Sequence, residues 1–259
     1  MTNKATKFKD DLRVINAGLE GFAQAMRYQD VPVVEIDWRP PADGEINLIE
    51  ILKTIYYNKE LVERINSANK MVIERIQNAN PQIVDVIPAG EAMKLPSHTI
   101  LHSGPPISWE KMCGPQKRAV LGAIQFEGWA KNENEAIKFV EKEMVNLCPC
   151  HKYNAVGPMT GIISPSMPVL VTRNDSYGNY GFSTFNEGRG NALWFGVCDK
   201  ETLERLQWIR YTLGPAMKAA IKKHGPINVF DIVEQGVQMG DECHARHVAS
   251  TALLLKRLM

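Results

Sequence analysis

Residues 146–190 constrain the fold more than any other part of the chain. They hold six glycines (Gly157, Gly161, Gly178, Gly181, Gly188, Gly190), four prolines (Pro149, Pro158, Pro165, Pro168) and five charged residues (Lys152, Arg173, Asp175, Glu187, Arg189). The chain is 23% charged, so about ten charges would be expected in a stretch of that length. A solvated linker would carry more charge, and a packed core would hold less Gly, Ser, Thr and Asn. Two compatible readings remain. In one, the backbone is held in special conformations with short polar side chains turned toward a ligand. In the other, tight turns join short strands, with MPVLVT (167–172) and ALWFGV (192–197) as the clearest strands.

The rest of the chain alternates strand and helix signals. LRVIN (12–16), an amphipathic segment with Leu19, Phe22, Ala23 and Met26, and the β-branched run VPVVEID make a βαβ-like start, closed by Trp38-Arg39-Pro40-Pro41. Helices are expected over 46–57 and 59–78, then a strand over 82–88. After a turn-rich segment, helices follow over 116–130 and 133–144, the second capped by Asn132 with Glu135 as capping-box partner. The end of the chain reads as helical over 200–223, 229–239 and from Asp241 onward. The expected class is α/β, with mixed α/β domains flanking a small helical module and a helical C-terminal third. The expected boundaries are 1–95 for an N-terminal α/β domain, 96–145 for the helical module, and 146–259 for a Gly/Pro-rich α/β domain ending in helices.

Composition narrows the functional classes. A net charge of +1 on 259 residues supplies no long-range field for nucleic acid or an anionic membrane. No apolar run approaches the ~20 residues of a membrane span. The start, MTNKATKFKDDL, lacks an apolar signal core. Five cysteines are too few and odd in number for a disulfide scaffold, so reduced thiols and a cytoplasmic location are expected. Walker A, HExxH, G-x-S-x-G and CxxC motifs are absent, and Gly18 with Gly21 falls short of a dinucleotide fingerprint. No cofactor is expected.

Two His/Cys clusters carry the candidate chemistry: Cys148-Pro149-Cys150-His151 and Asp241-Glu242-Cys243-His244-Ala245-Arg246-His247. On a helix, Asp241, His244 and His247 would spread over about a third of the circumference. Cys150, His151, His244 and His247 could together supply four zinc ligands, although their spacings match no established zinc pattern. Asp241 is best explained as a helix cap, although its turn would also present amide donors to an anion. His102 lies in a loop restricted by Gly104, Pro105 and Pro106, a setting suited to acid–base work. Arg39, Arg173 and Arg189 sit beside Pro, Asn or Gly, where each could fork a carboxylate or phosphate.

WRPPADG, VIPAGEA, LHSGPPISWEKMCGP, FEGWA, PCHKYNAVGPMTGIISPSMPV, NEGRG and MGDECHARH occur here in that order. Together they resemble the YlbE-like family, which includes the G subunit of oxamate carbamoyltransferase from bacterial allantoin breakdown. The resemblance runs from about Val14 to the C-terminus. It implies a cytosolic α/β protein with a small helical module between two mixed domains, working in an oligomer with a succinyl-CoA synthetase-like partner subunit. The implied substrates are small anions, oxalurate or oxamate and phosphate. The implied reaction turns oxalurate and phosphate into oxamate and carbamoyl phosphate. Lys152-Tyr153 departs from the family, where further histidine is common, which argues against a His-rich metal site. The Ser-Thr-Arg-Thr-Arg phosphate loop of aspartate and ornithine carbamoyltransferases is absent, so any such activity needs another architecture.

That chemistry needs cations for phosphate, donors for an oxyanion and an acid for the departing nitrogen. His151, His102 and His244 are the acid candidates. Arg39, Asn154, Gly157, Asn186, Arg189 and Asp241 are the substrate-binding candidates, with backbone amides near Gly157, Gly161 or Gly188 as oxyanion donors. A non-catalytic binding or assembly subunit is the alternative. Members of the family continue beyond the helix expected from Asp241, whereas this chain stops at LLLKRLM with no C-cap glycine. A shortened member, its final leucines covered by something else, is therefore expected.

Overall fold

The computed structural model describes residues 12–38, 41–185, 191–243 and 248–259. Contacts divide the chain into two units, Met1–Arg75 and Ile76–Met259. The positions of the expected boundaries, after Leu95 and before Asn146, both lie within the second unit.

The first unit opens with β1 (Val14–Ala17), α1 (Glu20–Arg27) and β2 (Val33–Ile36). The strands pair in parallel from Val14 opposite Val33 to Ala17 opposite Ile36. This is the βαβ arrangement expected from the sequence, with α1 packed on both strands and Ala23 fully buried. Ile15, Val34 and Ile36 on the pair are left exposed. A turn over Pro41–Gly44 then leads into α2 (Ile46–Tyr56) and α3 (Lys59–Gln77). Asn58 caps α3, its side-chain oxygen accepting from the Leu61 N–H at 3.1 Å.

In the second unit, β3 (Pro81–Pro88) and α4 (Ala89–Met93) are followed by β4 (Thr99–His102). Next come α5 (Gly114–Phe126), α6 (Glu133–Glu141), β5 (Asn146–Pro149), β6 (Ala155–Val156) and β7 (Ile162–Ile163). The chain continues through β8 (Pro168–Asn174), β9 (Tyr180–Thr184), α7 (Lys200–Trp208) and α8 (Gly214–His224). It finishes with β10 (Ile227–Asn228), α9 (Val229–Gln238) and α10 (Val248–Leu258). One sheet has the order β10-β3-β8-β9-β6, and a second has the order β5-β4-β7.

Side-chain alternation stacks these elements. On β4, Ile100 faces the cluster built on α5 and Leu101 faces the opposite way; Ile162 and Ile163 of β7 repeat the split. Leu101, Ile163 and Val169 of β8 share one cluster, which joins the small sheet to the large one. Leu170, on the other face of β8, packs with Ile83, Val86, Met217, Ile221 and Leu254 beneath α8 and α10. The layers are therefore α5, small sheet, large sheet, and the C-terminal helices. The α5 helix is buried nearly all round, as its uninterrupted Ala-Val-Leu-Gly-Ala-Ile run requires.

Two sequence expectations are corrected. ALWFGV is not a strand. Residues 193–195 form a short 3-10 turn, and the Ala192 carbonyl accepts from both the Phe195 and Val197 N–H groups. Its apolar residues serve packing on α5 instead, with Leu193 1% exposed and Gly196 at φ 79°. The last helix does not begin at Asp241 either. Cys243 has φ 53°, which is left-handed, and the described helix starts at Val248. The expected Asn132 cap is present: its side chain accepts from the Glu135 N–H at 3.0 Å, and Glu135 accepts in turn from the Lys131 N–H at 2.8 Å. The helix expected over 200–223 includes a π-turn at Ile209–Leu213, directly before Gly214-Pro215. Proline has no N–H for the i−4 carbonyl, and the widened turn accommodates the lost bond.

Candidate functional site

Turns of the Gly/Pro-rich stretch border a cleft, and of the two strands expected there 167–172 is matched by β8. The open part of the cleft, about 410 Å³, lies among Val156, Gly157 and Pro158, the end of β9 at Ser183 and Thr184, Trp194, and Cys243. A narrow inner part of about 30 Å³ continues past Gly161 and Ile162 toward Leu206 and Ile209. The inner part has room for about one or two waters. Pro158, Thr184, Phe185 and Trp194 border both.

The turn from Gly157 to Gly161 is anchored to the end of β4. Pro158 O accepts from the Gly161 N–H at 2.7 Å and from the Ser103 hydroxyl at 2.7 Å. The Ser103 N–H donates to Gly161 O at 3.1 Å. A Cβ on Gly161 would lie 2.6 Å from Pro158 Cγ and 2.9 Å from Pro158 O, so only glycine closes this turn. On the far side, the Thr160 hydroxyl donates to Trp194 O and holds the indole segment against the turn. The Trp194 ring stacks on Phe195 at 4.1 Å.

A second set of contacts supports the turn from behind. Glu127 Oε1 accepts from the Ser164 hydroxyl at 2.5 Å and from the Ser166 N–H at 2.7 Å. Pro165 O and Met167 O accept from the Gly90 and Ala89 N–H groups, both at 2.8 Å. A Cβ on Gly90 would come within 3.1 Å of Pro165 Cβ. Three of the strings that carry the resemblance thus meet at one place.

Gly157 lines the open cleft. His102 is the last residue of β4, not part of a loop, and it is fully buried. Its Nδ1 lies 3.1 Å from Ser103 O, which also accepts from Gln116 Nε2 at 3.1 Å. A carbonyl can only accept, so Nδ1 is the donor nitrogen. Nε2 is buried without a partner among the described residues. His102 thus stands behind the cleft, pairing with Ile162 and touching it through Ser103. His151 and Asn154 are exposed on the 3-10 turn after β5, outside the residues that line the cleft. Asn154 takes φ 53° there, and its carbonyl accepts from the Phe182 N–H.

Asp241 is 8% exposed. Its oxygens accept from the Cys243 N–H and from the N–H and hydroxyl of Ser250, and these bonds hold its carboxyl below the usual range. Burial pushes the Cys150 thiol up to about 11, so it is a protonated thiol at neutral pH. Arg173 is spent on Asp175 at 2.5 Å. Arg39, Asn186, Arg189, His244 and His247 lie outside the described residues. In sequence, Asn186 directly follows Phe185 and His244 directly follows Cys243.

Nothing local in the sequence singles out Ser103, Ser183, Thr184 or Trp194. Ser103 follows His102 within a motif that drew attention only for its histidine. Thr184 and Trp194 carry no local signal at all. Among the described residues no cluster of three metal-ligating side chains occurs, and no helix is long and apolar enough to cross a membrane.

Comparison with known proteins adds a family context. The family model for oxamate carbamoyltransferase subunit AllG matches residues 145–259. The Escherichia coli (strain K12) protein YahG, described as uncharacterized, is 37% identical over 257 residues, covering 97% of this chain and 53% of its own length. Oxamate carbamoyltransferase subunit AllG of the same strain is 46% identical over 161 residues, covering 62% of this chain and 38% of its own length. The chain thus spans about half or less of the curated relatives it matches. A crystal structure of a conserved protein of unknown function from Enterococcus faecalis V583 superposes with a TM-score of 0.73 at 40% identity. It covers 76% of this chain and 48% of that one.

Proposed function

We propose that this chain supplies the substrate cleft of an oxamate-type carbamoyltransferase subunit within the YlbE-like group, working in a multi-subunit complex with a succinyl-CoA synthetase-like partner. One observation carries the reading: every described residue lining the cleft, from Val156 to Cys243, falls inside the 145–259 stretch that resembles subunit AllG. In the reaction a phosphate oxygen attacks the ureido carbonyl carbon of oxalurate. The bond from that carbon to the oxamate nitrogen breaks, and the nitrogen takes up a proton. Carbamoyl phosphate and oxamate result.

The residues on hand divide these tasks. Backbone amides of the turn between Gly157 and Gly161 and the hydroxyls of Ser183 and Thr184 are the donors for the carbonyl oxygen as charge builds on it. Arg189, four residues past Phe185 in the sequence, is the candidate for holding phosphate. His102, behind the cleft, and His244, next to Cys243 in the sequence, are the candidates for supplying the proton.

Calorimetric titration of the chain with oxamate and with carbamoyl phosphate tests the reading. Formation of carbamoyl phosphate from oxalurate and phosphate, with and without the partner subunit, tests it a second way. Ligand binding that is lost in Gly157→Val, with turnover in the complex falling in parallel, is the expected result. Absence of binding, together with turnover indifferent to Gly157→Val, would leave only an assembly role.

A further inference from the structure

The last two helices of the second unit leave apolar surface uncovered. On α10, Leu253, Leu254 and Leu258 pack against the cluster of Ile83, Val86, Met217 and Ile221. Val248 and Leu255 lie on the opposite side, 63% and 52% exposed, with exposed Ala252 between them on the same face. On α9, Ile232 and Gly236 are buried, whereas Phe230, Val233 and Val237 are exposed. Both exposed runs, 230-233-237 and 248-252-255, have the three-four spacing of a helix-bundle seam. The two helices pack on each other, with the Ser250 hydroxyl against Gly236 and bonded to Asp241. A helical pair with an apolar stripe left open on each arm is half of a four-helix bundle.

We propose that a second copy of this chain covers this face. The two helical pairs are related by a two-fold axis, so that α9 of each copy lies along α10 of the other. Charge favours a copy of the chain over an unrelated partner. α9 carries Asp231 and Glu234 and no Lys or Arg, while α10 carries Lys256 and Arg257 and no Asp or Glu. A two-fold axis sets the acidic arm of each copy against the basic arm of the other, so each favourable pairing is made twice. At about 100° per residue, Glu234 borders the stripe on α9 and Lys256 borders the stripe on α10. These two residues meet across the edge of the seam. Cys243, between the two helices in sequence, lines the cleft, so the interface adjoins the candidate site.

The test is sedimentation equilibrium of the full chain over a range of concentrations, with circular dichroism to confirm that each variant is folded. The expected result is a reversible dimer in the wild type and a monomer at the same concentrations in Leu255→Asp and Val237→Asp. Both positions are exposed, so the core cluster stays intact in these variants. Glu234→Lys and Lys256→Glu should each raise the dissociation constant about tenfold. The double variant Glu234→Lys/Lys256→Glu should return to the wild-type value, which a merely structural role for either residue would not produce. Three results would overturn the proposal: a wild type that stays monomeric throughout, a dimer unaffected by Leu255→Asp and Val237→Asp, or charge reversals that weaken the dimer singly and are not rescued together. None of these would touch the carbamoyltransferase reading, which stands or falls on ligand binding and turnover.

Discussion

The Asp241 carboxylate accepts two hydrogen bonds from Ser250, from the backbone N–H at 2.8 Å and from the hydroxyl at 2.9 Å. Ser250 stands in the first turn of α10, where backbone N–H groups have no partner within the helix. Asp241 therefore caps α10 from outside it. The Ser250 hydroxyl lies only 2.5 Å from where a Cβ on Gly236 of α9 would be, so the same contact sets how closely α9 and α10 approach.

These bonds make Asp241 a source of acid sensitivity. Donation from the Ser250 N–H, the largest cause, helps hold its carboxyl below the ordinary value of 3.8. A depressed carboxylate contributes stability that is present above the unfolded value and is lost as pH falls through the lower folded value. The urea midpoint of the wild type should therefore drop on acidification below about pH 4. Asp241→Asn should start lower at neutral pH and change less across that window. An identical acid slope in both proteins would assign the sensitivity to other carboxylates.

Packing between α5 and the 192–198 segment gives a second expectation. Alanine is intrinsically favoured over glycine inside a helix by about 1 kcal/mol. A Cβ on Gly122, however, would lie 2.3 Å from Leu193 Cδ1 and 3.0 Å from Cys198 Sγ. Leu193 is 1% exposed, and the small inner part of the cleft is the space into which it could shift. Overpacking of this kind costs about 1–3 kcal/mol, so Gly122→Ala should be net destabilising. Chemical denaturation checks the sign, and a stabilised variant would mean that Leu193 yields.

Much of the fold was legible because local chemistry dictated it. The Asn132 cap with Glu135, and the apolar runs that became β3 and β8, each fix an element without help from distant chain. ALWFGV misled because an apolar run looks alike whether it enters a sheet or lies across a helix; its fate was set by Gly122, some 70 residues earlier in the chain. At the cleft, glycine density marked the turn at Gly157, whereas Trp194 and Thr184 are ordinary residues brought there by the fold. His102 was visible as a histidine, but its burial depends on α5 and β7 closing over β4.

Cysteine reactivity separates two thiols that composition treats alike. Cys150 is 5% exposed, and burial raises its thiol to about 11, while Cys113 is exposed before α5. Thiolate is the species that alkylates. Iodoacetamide at pH 8 should label Cys113 in the native protein and leave Cys150 unmodified until denaturant is added, as read by peptide mass spectrometry. Early labelling of Cys150 would contradict its placement between the sheets.

The last expectation concerns how the cleft keeps its shape. Ser103 ties the end of β4 to the 157–161 turn twice, through its hydroxyl to Pro158 O and through its N–H to Gly161 O. Ser103→Ala removes the first tie and keeps the second, and Pro158 O retains the Gly161 N–H, so no buried acceptor is left bare. The stability loss should then stay near 1 kcal/mol, the usual net value of one such bond. Ligand affinity should fall too, because a turn held by one bond spends part of its time out of register with Ser183 and Thr184. Oxamate titration and thermal denaturation of the same variant separate the two effects. A normal affinity with reduced stability would make Ser103 a purely structural tie, whereas a loss in both would make β4, and His102 with it, part of what positions the cleft.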